Sequence, residues 1–78
     1  MDAELKKFRS NLGKRIKQLR VKRGLDQSEL AAIINKDKQV INRYEKQGAN
    51  PTAYILSLLA NALKVTTDDL LDFSKLEE

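Results

Sequence analysis

With 78 residues, 41% of them hydrophobic and 33% charged, the chain has room for one domain with an efficiently used core and not for two. It holds neither cysteine nor histidine, which excludes disulfides, thiolate zinc sites, thiol nucleophiles and every triad that needs an imidazole. The formal charge is +4, enough to raise nucleic acid as a partner.

No apolar run approaches the roughly 18 residues of a membrane span, and Met1 to Arg9 is charged throughout, without an apolar signal core. A cytoplasmic, stand-alone domain that is not an enzyme is therefore the expectation. The charge is uneven. Residues 1–23 carry nine basic and two acidic side chains, residues 24–50 balance, and residues 51–78 carry a net of −3. A basic end and an acidic end follow.

Punctuation divides the chain into five short segments, all helical in pattern, with no alternating strand pattern and no repeat. Leu5, Phe8, Leu12, Ile16 and Leu19 form one apolar stripe at helical spacing, and Gly24 stands where that helix must end. Asp26 and Glu29 are spaced as a capping box, and Leu25 and Leu30 as a hydrophobic staple, which predicts a helix over about 27–34. Asn35 suits the left-handed turn that follows. Asp37 is placed to cap a third helix, about 38–46, with Ile41 and Tyr44 facing inward and Val40 at the margin. Gly48 and Pro51 bracket its exit loop. A fourth helix opens near Thr52 and carries Ile55, Leu58, Leu59, Ala62 and Leu63, the expected centre of the core. Thr66 caps a fifth, whose Asp68 and Asp69 complement the helix dipole ahead of Leu70 and Leu71. The core domain is expected over about 11–71 within a single domain of 1–78, with 72–78 as a frayed tail.

The short link Asn35-Lys36-Asp37 between the second and third helices has helix-turn-helix spacing, in which the second member can enter a DNA major groove. Gln39 and Arg43, four apart, share a face flanked by Lys38, Asn42 and Lys46, and no carboxylate stands on it. Arginine matches the O6 and N7 acceptors of guanine, and glutamine both gives and takes a hydrogen bond at adenine. The alternative is a polar face that is merely solvated.

Leu12-Gly13-Lys14-Arg15-Ile16-Lys17-Gln18-Leu19-Arg20, then Gly24-Leu25-Asp26-Gln27-Ser28-Glu29-Leu30-Ala31, resembles the lambda-repressor-like helix-turn-helix domain of the Xre and Cro type. Ile41, Glu45, Asn50-Pro51, Ala60, Leu63 and the ending Val65 to Leu71 continue that pattern, so the resemblance covers about residues 11–71. It implies an all-α, compact five-helix domain that binds double-stranded DNA at a pseudo-palindromic operator, usually as a dimer. It places Lys38, Gln39, Val40 and Arg43 at base-reading positions, and Gln27 on a DNA phosphate, where a helix N-terminus favours an anion. Ser28, Asn42, Lys46, Gln47 and Asn50 are further phosphate candidates, with Lys14 and Arg15 as weaker ones. Arg20 and Glu45 match a pair that forms an internal salt bridge.

Three positions depart from the family pattern. Asn35 replaces a turn glycine. Lys36 replaces an apolar residue, so either its stem packs with the ammonium in water or the turn is looser. Gln47 replaces a glycine that comes one place later, at Gly48, which shifts the exit loop. Val40, where a polar residue is common, either touches a thymine methyl or packs toward the second helix.

The expected function is a sequence-specific transcriptional regulator, most simply a repressor, working as a homodimer through its C-terminal end. Leu71, Phe73 and Leu76 supply apolar surface there, unless they merely finish the core. The alternative is a protein-interaction module, antitoxin-like or an adaptor. No cofactor, metal or small-molecule ligand is expected. Asp68 and Asp69, the only paired carboxylates suited to acid–base work, are explained by their place at a helix start.

Overall fold

A computed structural model of the chain describes residues 2–76, and these form five α-helices and a final 3-10 turn. The first helix, α1 (Ala3–Lys22), opens at Asp2, whose carboxylate accepts the Leu5 N–H at 2.7 Å. At about 1.5 Å per residue its length matches the 32 Å long axis of the molecule, and the third, fourth and fifth helices and the final 3-10 turn pack against it. Gly24 takes a left-handed φ of 72° and lets the Leu25 N–H reach back to the Arg20 carbonyl at 3.1 Å.

The second helix, α2 (Gln27–Ile33), starts with the reciprocal capping box. The Glu29 N–H donates to Asp26 at 2.7 Å, and the Asp26 N–H donates to Glu29 at 2.8 Å. Of the stapling pair, Leu30 is fully buried and Leu25 packs on the core. Asn35 turns the chain at φ 59°, and the Lys36 N–H donates to the Ala31 carbonyl at 2.8 Å. The turn is therefore closed by its backbone, and the Lys36 side chain stays exposed. Asp37 sits at the N-cap position of α3 (Lys38–Gln47) with extended backbone, but its side chain accepts no capping hydrogen bond. The helix runs one residue past the expected end, to Gln47, and stops where Gly48 takes φ 103°. Buried Ala49 then pins the exit loop to α1, donating its N–H to the Arg9 carbonyl at 2.9 Å.

Thr52 caps α4 (Ala53–Leu63), and Thr66 caps α5 (Thr67–Leu70). The fully buried large side chains come from every helix: Leu12 and Ile16, Leu30, Ile41, Leu59 and Leu63, Leu70. Each removes apolar surface worth about 1.5–3 kcal/mol from water, so none of the five helices is dispensable. Among the described residues no helix is long and apolar enough to cross a membrane.

The expectation of a frayed tail fails for Asp72 to Leu76. Phe73–Lys75 form a 3-10 turn, and Phe73 meets Phe8 edge-on with ring centroids 5.7 Å apart. Such aromatic pairs add about 0.5–1.5 kcal/mol beyond area burial. Gln18 ties the same turn to α1 through a 2.8 Å bond to the Lys75 carbonyl. Glu77 and Glu78 lie outside the described residues.

A buried arginine joins this turn to the body. Arg15, 4% exposed, donates to the Asp69 carbonyl at 3.0 and 3.1 Å and to its carboxylate at 3.1 Å. The Lys75 ammonium reaches the same carboxylate at 2.8 Å and, with Arg15, holds it below the ordinary carboxylate range. Asp72 is lowered too, by hydrogen bonds from the Ser74 hydroxyl and N–H. A carboxyl depressed in the folded state contributes stability above its unfolded value and loses it as pH falls through the folded one. Stability followed from about pH 6 down to about pH 2 should accordingly decline on the acid side. Lys75→Met should flatten that decline, and an unchanged acid limb would show that the Lys75–Asp69 bond is idle in solution.

Candidate nucleic-acid interface

The third helix has one carboxylate, Glu45, and the fold turns it inward. Arg20 clamps it with two bonds, Nε to Oε2 at 2.7 Å and Nη2 to Oε1 at 3.0 Å, while its third nitrogen donates to the Leu25 carbonyl at 2.8 Å. The Glu45 side chain is 3% exposed and that of Arg20 is 11%. The hydrogen bond to Glu45 pushes the guanidinium above its already high ordinary value. This clamp joins α1, the turn before α2, and α3.

Gln27, at the first position of α2, continues the network. Its amide nitrogen donates to Glu45 at 3.1 Å, and its amide oxygen accepts from Asn42 at 3.2 Å. The Gln27 side chain is thus held in one orientation, with one amide N–H left over. Asn42 is half-buried beside it, and Ser28 is exposed one residue further along α2.

With Ile41 fully buried, the opposite arc of α3 faces water. Lys38, Gln39, Arg43 and Lys46 are all exposed, and Gln39, Arg43 and Lys46 follow one another at steps of four and three. Val40 is half-buried at the edge of the arc, Gln47 is exposed on the last turn, and Asn50 is exposed in the exit loop. Because Glu45 is spent on Arg20, the outward face of α3 carries three cations and no carboxylate. That combination offers charge to phosphates and directional donors and acceptors to base edges.

One residue differs from its reading in the sequence, and another had none. Lys14 is exposed, but Arg15 is not a free cation for phosphate, because it lies on the flank of α1 that faces α5 and is consumed by Asp69. Gly13, which composition and spacing leave unremarked, lies where α1 closely approaches the backbone of α3. A Cβ at this position would lie 2.1 Å from the Tyr44 carbonyl oxygen. A glycine inside an otherwise good helix, where it costs about 1 kcal/mol, was the available signal.

These features define a helix-turn-helix domain, and the chain belongs to the helix-turn-helix family, whose model matches residues 16–70. It is similar to multiprotein-bridging factor 1 of Debaryomyces hansenii, 43% identical over 60 residues that cover 77% of this chain and 40% of that protein. It is also similar to the HTH-type transcriptional regulator ImmR of Bacillus subtilis, 38% identical over 61 residues covering 78% of this chain and 48% of that one. The chain thus spans less than half the length of either relative. Among solved structures, the restriction-modification controller protein C.AhdI from Aeromonas hydrophila superposes with a TM-score of 0.74 at 28% identity, over 88% of this chain and 98% of that one. All three are named for regulation or bridging.

Proposed function

We propose that the protein is a sequence-specific transcriptional regulator that reads the major groove of double-stranded DNA with α3. The observation that carries this is the outward face of the helix: Lys38, Gln39, Arg43 and Lys46, with the helix's one acid locked inward on Arg20. In this reading Arg43 takes guanine, Gln39 takes adenine, and Lys38 and Val40 contact the adjoining base edges. Gln27, Ser28, Asn42, Lys46, Gln47 and Asn50 hold the phosphate backbone on either side. Gln27 is held for that task by Glu45 and Asn42.

One such helix reads only a few base pairs, too few to select a site among a genome of competitors. A homodimer through the C-terminal end, where Leu71, Phe73 and Leu76 stay partly exposed, would read two half-sites about 34 Å apart on a pseudo-palindromic operator. Occlusion of a promoter by such a dimer is repression in its simplest form. No cofactor takes part, and the cytoplasm is the compartment this role implies.

Arg43→Ala should cost about 1–3 kcal/mol on the preferred site and relax selectivity at one base pair. Lys46→Ala should instead weaken all sequences evenly and reduce the salt slope by about 1. Binding isotherms over a panel of single-base variants, at several salt concentrations, separate the two patterns. Uniform weakening by Arg43→Ala would remove the guanine assignment.

The likeness to a multiprotein-bridging factor supports a second reading, in which the domain's principal partner is a protein and its regulatory effect comes from bridging. The same fold serves either role.

A further inference from the structure

A second charged surface lies on the opposite flank of α1. Arg9, Gly13 and Arg20 face α3 and its exit loop, whereas Arg15, Gln18 and Lys22 stand roughly half a turn away around the helix. There α1, the loop between α4 and α5, and the 3-10 turn enclose a groove of about 710 Å³, within the size range of ligand-binding clefts. Its walls carry Arg15, Lys22, Arg23, Lys64 and Lys75 against one carboxylate, Asp69, and its apolar surface comes from half-buried Val65, with Leu19 and Leu63 buried in the core beneath. Arg15 and Lys75 are both engaged by Asp69, through its Oδ1. Among the described residues Lys22, Arg23 and Lys64 have no acidic partner within 4 Å.

The helix dipole accounts for cations at the end of α1, so Lys22 and Arg23 alone would mean little. Lys64 belongs to another element and is not explained that way. It adopts φ 62°, ψ 41°, a left-handed conformation that glycine or asparagine takes at lower cost. A lysine there sacrifices backbone ease and places on the rim of the same groove a third cation with no acidic partner within 4 Å among the described residues.

We propose that this groove is a docking site for an acidic segment of a partner protein, one that alternates carboxylates with apolar side chains. The carboxylates would meet Lys22, Arg23 and Lys64, and the apolar residues would meet Val65 and the aliphatic stems of the basic side chains. Because the groove is turned away from α3, the site is open whether or not α3 is engaged, and the proposal does not depend on DNA reading.

The test is an amide chemical-shift titration of the full chain at near-physiological salt with a capped peptide of repeated Glu-Asp-Leu triplets. Its Lys-Lys-Leu counterpart serves as control. Shifts should gather at Lys22, Arg23, Lys64 and Val65, and the basic peptide should produce none. Arg23→Gln combined with Lys64→Gly should weaken the acidic peptide about tenfold, since charged rim contacts set both steering and affinity. The same variant should bind duplex DNA as the parent does. Lys64→Gly should leave the melting temperature unchanged or raised, which separates lost docking from lost folding. Shifts on the outer face of α3, no shifts at all, or a DNA duplex that protects the groove amides would each overturn the proposal.

Discussion

Gly13→Ala is expected to destabilise the domain by about 2–3 kcal/mol, a fall of roughly 10–20 °C in Tm for a domain of this size. Two effects oppose each other. Alanine in a helix interior is favoured over glycine by about 1 kcal/mol, so propensity alone predicts a more stable protein. Against it stands the contact: the new methyl would lie 2.1 Å from the Tyr44 carbonyl oxygen and 3.2 Å from its carbon. Both belong to backbone, which no rotamer change can move aside. The helices must part, and the buried cluster that includes Leu12 and Ile16 of α1 and Ile41 of α3 loosens with them. Gly24→Ala is the control. Its φ of 72° is unfavourable for alanine, but nothing lies within 4 Å, so it should cost only about 1 kcal/mol. Urea denaturation of both variants decides the matter. A stabilised Gly13→Ala protein would mean that α1 and α3 do not approach this closely.

Glu45→Ala should be the more damaging change, about 3 kcal/mol or somewhat more. It leaves the Arg20 guanidinium, largely buried, with only the Leu25 carbonyl as partner, and frees the amide nitrogen of Gln27. Removing both charges is a different perturbation. Arg20→Leu with Glu45→Leu replaces a clamp by apolar contact and should recover much of the loss, because the desolvation cost disappears with the pair. A double-mutant cycle in urea measures the coupling. Near-additive losses would contradict a clamp that works as a unit. The consequence extends to the outer face of α3, since Gln27 and Asn42 are oriented through Glu45.

Local rules carried much of this architecture, and they did so where the cause lay within a few residues. The Asp26–Glu29 box, the Leu25–Leu30 staple, and the turns at Gly24 and Asn35 each depend on neighbours no more than five apart. What the local pattern could not show depends on distant partners. Arg15 reads as a surface cation until Asp69, 54 residues later, is seen to consume it. Phe73 reads as part of a loose tail until Phe8 is brought against it. The Ala49 N–H ties the exit loop to Arg9, and no spacing near Gly48 announces it. Of the interface, the charge and hydrogen-bonding character of α3 was legible because exposed residues on a helix follow its period. The inward commitment of Glu45 was implied only by family resemblance, and the groove beside Lys64 was implied by nothing in the linear order.

The central claim is that the outward face of α3 selects DNA by sequence. Selection of bound duplexes from a random-sequence pool tests it most directly, at near-physiological salt, because a basic first helix would hold any DNA at low ionic strength. A two-fold symmetric motif with half-sites one helical turn apart, guanine opposite Arg43 and adenine opposite Gln39, is the result this account predicts. Recovery of no enriched motif would contradict it and leave the outer face of α3 as a solvated surface.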